Sequence, residues 1–310
     1  MPSLTFRTYR LFISALILIV LSGLVLTGSA RAQGAVALQI SPSLTEVNLN
    51  PGETASFDTF EIFNPSDTTE EVNLVIKDIE IKDERGTIAL LDETSVRYSL
   101  SEWATVEPAK ITLEPRKHLS LKIIIAVPED AEPGGHYGAV FAISRGTGEV
   151  EAGEVGLGVS AGVASPILLT VSGPVSTTGE IVEFRKVPFI NLGPIDFLLR
   201  FRNTGTVHYR PHGVIDLYDL FGNKAATIPV DEQRAFPETV RQLDARWNRV
   251  LLMGKYRAVA KILFGLEDER QDTAEIEFWA FPYKGVLGII GAVVALIFLF
   301  QVRRWWQERG

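Results

Sequence analysis

Apolar and polar residues alternate along most of the chain between its two apolar ends. Every second residue from Leu119 to Val127 is apolar, and so is every second residue from Tyr256 to Phe264. The same spacing recurs at Phe197, Leu199 and Phe201 and at Ile276, Phe278 and Ala280. A period of two predicts β-strands that place one face on a core and the other in water.

Turn-forming residues separate these apolar stretches at intervals of roughly ten residues. They include Asn50-Pro-Gly52, Asn64-Pro-Ser-Asp67, Glu84-Arg-Gly86, Pro133-Gly-Gly135, Asn203-Thr-Gly205 and Phe221-Gly-Asn223. Many short strands with regular turn signals are typical of β-sandwiches. We therefore predict an all-β fold of two Ig-like β-sandwich domains in tandem, over residues 33–173 and 174–283.

The boundary near residue 173 depends on three local patterns. Residues 144–165 are rich in Gly and Glu and predict a long, mobile hairpin loop within the first domain. The apolar residues 166–173, bounded by a proline and a glycine, predict the last strand of that domain. A second series of strands begins at Gly179, and a single helical turn is predicted around residues 237–243.

The N-terminus has the three parts of a secretory signal peptide. Arg7 and Arg10 precede an apolar run over residues 11–26, and Ala30-Arg31-Ala32 provides an A-x-A cleavage site. We predict a signal peptide over residues 1–32 that is cleaved after Ala32. An uncleaved anchor is the alternative, because the apolar run is slightly long.

The C-terminus predicts one transmembrane helix over residues 284–302, with 285–302 in the membrane. This run is uncharged beyond Lys284 and long enough to cross a bilayer of roughly 30 Å of hydrocarbon. Aromatic residues flank it on both sides, as at lipid–water boundaries. Arg303 and Arg304 follow it, so the positive-inside rule places a short tail, residues 303–310, in the cytoplasm. Residues 33–284 are then outside a plasma membrane that the chain crosses once. Glycines at 285, 288 and 291 suggest a helix-pairing face.

Composition narrows the function. The formal net charge is −8, and no basic run is present, so nucleic acid is not a predicted partner. The chain has 0 cysteines, which excludes thiolate metal sites and cysteine nucleophiles.

The order of several motifs resembles the WxL-interacting surface proteins of Gram-positive bacteria. The first half contains Ile40-Ser-Pro-Ser43, Leu49-Asn-Pro-Gly-Glu53, Phe60-Glu-Ile-Phe-Asn-Pro-Ser66, Val106-Glu-Pro108, Val127-Pro128 and Pro133-Gly-Gly-His-Tyr-Gly-Ala-Val-Phe141. The second half contains Phe201-Arg-Asn-Thr-Gly205, Val214-Ile-Asp-Leu-Tyr-Asp-Leu-Phe-Gly222 and Gly254-Lys-Tyr-Arg-Ala258. The resemblance covers residues 36–302 and implies a wall-associated first domain, with peptidoglycan as partner, and a second domain that binds another surface protein. The short tail without a long basic stretch departs from that family.

Candidate chemistry is sparse. His208 and His212 would share a face in a strand, but without further ligands nearby a zinc site is not predicted. Glu149, Glu151 and Glu154 lack the spacing of a Ca²⁺ loop. Glu129 and Asp130 are adjacent and point to different faces if extended, unlike a glycosidase pair. We therefore predict no catalytic residue, no metal site and no cofactor.

Aromatic residues are the remaining candidates for binding. Trp103, His136, Tyr137 and Tyr209 could stack on sugars or contact a partner if they are exposed. We expect core or loop packing for each of them, with stacking or a partner contact as the alternative.

Three functions are compatible with the sequence. The leading hypothesis is a membrane-anchored surface adaptor that binds cell-wall polymer, another surface protein, or both. The alternative is a periplasmic or surface assembly factor, a chaperone that pairs an edge strand with exported subunits. An enzyme with dispersed carboxylates is the third, and it lacks any recognisable catalytic motif.

Overall fold

The computed structural model describes residues 38–91, 97–145, 160–186 and 191–307, and most of these residues lie in strands. The strands are β1 (Gln39–Ser41), β2 (Thr45–Leu49), β3 (Thr54–Phe63), β4 (Glu70–Ile81), β5 (Ile88–Leu90), β6 (Ala104–Glu107), β7 (Lys110–Leu113), β8 (His118–Ala126), β9 (Gly134–Arg145), β10 (Ser160–Val171), β11 (Gly179–Lys186), β12 (Ile195–Asn203), β13 (His212–Tyr218), β14 (Lys224–Val230), β15 (Val240–Trp247), β16 (Gly254–Phe264) and β17 (Arg270–Ala280). A helix, α1 (Tyr283–Gln307), follows them. The prediction of a mainly β chain with one apolar C-terminal helix is confirmed. The predicted signal peptide, residues 1–32, lies outside the described residues.

Strands β1 to β10 form a first sandwich of two sheets. One sheet has the order β1-β3-β8-β6, and the other has the order β2-β10-β9-β4, with β5 and β7 both pairing with β4. All of these pairs are antiparallel except β2 with β10, which run parallel. The chain therefore crosses from one sheet to the other between β1 and β2.

The core of the first sandwich follows from the alternation in its strands. Phe60 and Ile62 of β3 are fully buried and share this core with Ile123 of β8 and with Ile167 and Leu169 of β10. Burying such a side chain contributes about 1.5–3 kcal/mol each. In β8 the predicted apolar face begins at Leu121, because Leu119 lies at the start of the strand and is exposed.

Strands β11 to β17 form a second sandwich around a separate core. Its sheets have the orders β11-β12-β15 and β14-β13-β16-β17. Phe197 and Phe201 of β12 face Ala258, Ala260 and Ile262 of β16 inside this core, as the period of two predicts. The boundary predicted near residue 173 falls between β10 and β11.

A buried asparagine closes a corner in each sandwich. Asn203, the last residue of β12, donates from Nδ2 to the carbonyl oxygens of Val207 and Ala235, both at 2.9 Å, and its Oδ1 accepts from the amide of Gly205 at 2.8 Å. Asn64, just after β3, makes the equivalent bonds. An amide can satisfy both donors and acceptors where a strand leaves its sheet.

Two local predictions were wrong. Both ends of the loop predicted over residues 144–165 are strand, because β9 extends to Arg145 and β10 begins at Ser160, and residues 146–159 lie outside the described residues. The helical turn predicted over residues 237–243 is a tight turn at Pro237 and Glu238 followed by β15. Alternating apolar residues in β15 outweigh the local turn chemistry there.

Helix α1 is long and apolar enough to cross a membrane. Its span, Tyr283–Trp305, has a mean hydropathy of 2.6, and 0% of its most apolar stretch is buried against the rest of the described chain. No described atom lies within 4 Å of a Cβ added at Gly285, Gly288 or Gly291. The predicted pairing face, like the predicted orientation, stays a prediction.

Candidate functional site

Strand β10 has an edge that is only partly covered. On one side all 12 of its residues pair with β9. On the other side β2 pairs with Ile167–Val171 alone. Among the described strands, none pairs with residues 160–166 on that side, which we call the open edge.

Small, uncharged residues make up the open edge. Gly162 is exposed and lies under the ring of Phe141 in β9, since a Cβ added at Gly162 would lie 2.7 Å from that ring. Val163 packs on the first core, and Ala164 is half-buried on the opposite face of the sheet. An uncharged edge presents its backbone groups to any strand that approaches.

The position of Pro166 indicates which backbone groups point outward. Proline has no N–H to give, so in a sheet its nitrogen is placed on the side away from the ladder. Residues two apart in a strand send their N–H groups to the same side. Because Pro166 pairs opposite Ala139 of β9, the N–H groups of Gly162 and Ala164 face the open side.

Strand β17 provides a contrast in the second sandwich. It is also a sheet edge, and it pairs with β16 over its whole length. Its exposed residues include Arg270, Glu275 and Glu277. Charges on an edge strand disfavour pairing with a further strand, so this edge is protected where the open edge is not.

The end of the open edge is fixed by the crossing between β1 and β2. The buried hydroxyl of Ser165 donates to the carbonyl oxygen of Pro42 at 2.6 Å. Thr45 then pairs with Ile167 as β2 begins. The open edge is thus the half of β10 that lies farther from the connection to the second sandwich.

An aromatic cluster joins the two sandwiches on the same sheet. Tyr137 of β9, which pairs with Leu168, packs edge-on against Phe236 with ring centroids 4.9 Å apart. The Tyr137 hydroxyl accepts from the amide of His208 at 3.0 Å and lies 3.2 Å from His208 Nδ1. Burial raises the pKa of Tyr137 and lowers the pKa of His208 to about 4. Near pH 7 His208 is therefore neutral and Tyr137 keeps its proton, so this contact joins two uncharged groups.

Ion pairs surround this cluster and connect the sandwiches further. Glu46 of β2 binds Arg210 at 2.8 Å and also contacts Arg234. Burial alone would raise the pKa of Glu46, but the hydrogen bonds and charges of the two guanidinium groups outweigh it, and that pKa lies below its ordinary value. Glu84 binds Arg200, which also binds Glu183 at 2.9 Å. These contacts fix how the sheet that carries the open edge sits on the second sandwich.

The aromatic residues predicted as binding candidates are mostly internal. His136, Tyr137 and Tyr209 are buried, and Trp103 is half-buried with its ring 4.2 Å from that of His136. Tyr209 donates its hydroxyl to the carbonyl oxygen of Thr178 at 2.7 Å. Internal packing therefore accounts for the three buried residues, and none of the three is exposed for stacking.

The two neighbouring histidines do not share a face. His208 is buried at the junction of the sandwiches, whereas His212 begins β13 and lies 3.6 Å from Asp268. Within the described ranges, no group of three His, Cys, Asp or Glu side chains is arranged to hold a metal ion. Glu149, Glu151 and Glu154 lie outside those ranges. The open edge was not predicted, although the uncharged run at residues 160–171 is a signal for it in the sequence.

Comparisons with known proteins correct the predicted family. No family model matches the chain, and no curated protein sequence matches it. Similar solved structures include the Class 5 fimbriae chaperone CfaA, with 14% identity, 77% of this chain and 98% of that chain covered, and a TM-score of 0.40. A chain of the Salmonella enterica complex of the SafA pilin with the SafB chaperone has 12% identity, 80% and 98% coverage, and a TM-score of 0.39.

The E. coli chaperone DraB is also similar, with 13% identity, 79% and 97% coverage, and a TM-score of 0.36. Likeness at this level assigns no function to this chain. The prediction that the chain belongs to the WxL-interacting family is wrong, since no family model supports it and the three similar structures named here contain chaperones instead.

Proposed function

We propose that this protein is a membrane-anchored assembly factor that pairs the open edge of β10 with a strand of an exported protein. The observation that carries the proposal is the unpaired, uncharged half of β10 at residues 160–166. The partner is an exported or surface protein rather than a small molecule, because unpaired backbone groups of a strand edge bind the backbone of another strand. The role is binding, without catalysis.

Pairing at this edge would follow the ordinary rules of strand addition. The outward N–H groups of Gly162 and Ala164 would donate to carbonyl oxygens of the incoming strand. Small side chains would let that strand approach to the usual spacing of about 4.8 Å. Main-chain hydrogen bonds give such complexes affinity, while alternate side chains give specificity.

The anchor and its orientation belong to the same proposal. Helix α1 would span the plasma membrane once, with residues 33–284 outside and residues 303–310 in the cytoplasm. The buried aromatic cluster and the ion pairs between the two sandwiches support a presenting role, because they would hold the open edge at a set distance from the bilayer. Wall polymer is not retained as a partner, since the aromatic residues offered for it are largely buried.

The test uses the absence of native cysteine. A Gly162→Cys variant of the full chain is expressed in the source cell. The new thiol is then labelled with a benzophenone maleimide, and the cells are irradiated. The half-exposed ring of Phe141 must turn aside for the new side chain. Thr273→Cys on the charged edge of β17 is the matched control. We expect Gly162→Cys alone to capture an exported protein, through a segment with alternating apolar residues.

A second variant checks that capture depends on strand pairing. Ala164→Pro removes an outward N–H without touching the β9 ladder, so it should abolish cross-linking from position 162. Far-ultraviolet circular dichroism establishes that the variant keeps its strands. Equal capture at positions 162 and 273, or unchanged capture in the proline variant, would refute the proposal.

A further inference from the structure

Three loops of the second sandwich lie at the end where α1 begins. Ala280, the last residue of β17, pairs with Gly254 at the start of β16. Tyr218, the last residue of β13, pairs with Arg257, so the hairpin over residues 219–223 reaches the level of Gly254. The loop over residues 248–253 leads directly into β16. The third loop, residues 191–194, precedes β12.

Hydrogen bonds connect the loops at residues 191–194 and 248–253 to each other and join the first of them to the helix. The amide of Gly193 donates to the carbonyl oxygen of Val250 at 2.8 Å. The amide of Lys284, in the first turn of α1, donates to Asn191 Oδ1 at 3.0 Å. The loops therefore lie beside the start of the apolar helix.

This end of the sandwich exposes large apolar side chains. They are Leu192, Leu220, Phe221, Val250, Leu251, Met253, Trp279 and Phe281, which we call the apolar rim. Phe221 is 85% exposed at the tip of its hairpin, and Leu251 is 61% exposed. The opposite end of the same sheet differs, because the turn between β16 and β17 places Leu266 next to the acidic residues 267–269.

Burial of these side chains needs an apolar neighbour. Apolar surface left in water costs roughly 25 cal/mol per Å² relative to burial. Contiguous exposed patches of this kind mark interaction sites. The neighbour that the chain itself supplies is the bilayer, because α1 leaves the sandwich at this end and carries it to the lipid surface. Trp279 and Phe281 at the same level suit the interface between lipid and water.

We propose that the apolar rim inserts into the interfacial layer of the bilayer that α1 spans, so that the second sandwich docks on the membrane. The inference rests on the proposed membrane span of α1. The occupant is a lipid surface, and a partner protein at the rim is the competing outcome. Docking would attach the second sandwich to the membrane through its loops as well as through α1. Because ion pairs join the two sandwiches, the open edge would then also have a fixed orientation relative to the membrane.

The experiment places one fluorescent label at a time on the full chain in phosphatidylcholine liposomes. Phe221→Cys and Leu251→Cys report on the rim, and both replace exposed side chains. Asp268→Cys, at the opposite end of the sandwich, is the water-exposed control, and Leu296→Cys within α1 reports on the span. Quenching by brominated lipid and by aqueous iodide is measured for each label.

We expect brominated lipid to quench the labels at 221, 251 and 296 severalfold more than the label at 268, with iodide giving the reverse order. Quenching at 296 alone, with 221 and 251 behaving like 268, would overturn the docking proposal and leave the span intact. Absence of quenching at 296 would refute the span, and with it the docking that rests on it. Protection of 221 and 251 from both quenchers would assign the rim to a protein contact and overturn a lipid occupant.

Discussion

Replacing Tyr137 by phenylalanine tests whether one hydroxyl holds the two sandwiches together. The substitution keeps the ring that packs against Phe236 and removes only the oxygen. That oxygen accepts from the buried amide of His208 at 3.0 Å and lies 3.2 Å from its Nδ1.

The expected cost follows from the groups left without partners. A buried donor or acceptor that loses its hydrogen bond costs about 1–3 kcal/mol. Two such groups on His208 lose Tyr137, and the phenylalanine ring leaves little space for water. We expect the junction to lose about 3 kcal/mol, which corresponds to roughly a hundredfold rise in its opening constant.

Amide hydrogen exchange at Gly135, whose N–H donates to the carbonyl oxygen of Thr206 across the junction at 2.9 Å, measures this opening in the full chain. Because the protein has two cores, a single global unfolding transition would be a poorer readout. Tyr98→Phe is the matched control, since it removes a more exposed hydroxyl 3.2 Å from Glu238 and should change exchange little. If Tyr137→Phe leaves the exchange of the Gly135 amide within threefold of the parent, the hydroxyl does not hold the junction.

Three further predictions concern stability. As pH falls from about 6.5 to about 4, His208 becomes protonated in the unfolded chain but not in the folded chain, so the free energy of unfolding should fall by up to ~3 kcal/mol. His208→Asn should remove this part of the pH dependence of the urea midpoint. Identical pH profiles for the variant and the parent would contradict the prediction. Asn203→Asp places a carboxylate oxygen against two carbonyl oxygens, so it should lower the free energy of unfolding by more than ~3 kcal/mol and lower the melting temperature. A melting temperature within a degree of the parent's would refute this prediction. Glu84→Gln weakens a partly exposed pair with Arg200 and should cost under ~1 kcal/mol, an effect that added salt removes; a salt-independent loss would count against an ionic origin.

The strands were predictable because their signal is local. The apolar–polar alternation of β8, β12 and β16 can be recognised from consecutive residues. The turn signals at residues 50–52 and 221–223 also coincide with turns in the structure. The helix α1 was predictable for the same reason, since an uncharged apolar run needs no tertiary context. Single-residue features such as the exposure of Leu119 depend on how far the facing sheet extends.

Pairing between distant strands was not predictable in this way. The open edge exists because β2 begins only at Thr45, beside Ile167 of β10, and the two strands are more than a hundred residues apart in sequence. The burial of Tyr137 and His208 at one junction depends on a contact between the sandwiches, which no pattern along the chain indicates. The family resemblance failed because turn motifs such as Pro-Gly and Asn-Pro occur in many sandwiches, where they satisfy the same backbone geometry.

The short parallel strand β2 also determines register. A strand that adds to residues 160–166 cannot slide further along β10, because Thr45 already occupies the place beside Ile167. The sequence of any partner would therefore be aligned from that fixed stop, and a shift by one residue would turn its apolar side chains to the wrong face. If β2 began earlier and covered more of β10 toward Ser160, the partner segment that the protein can accept would be shorter. If β2 began nearer to Val171, that segment would be longer.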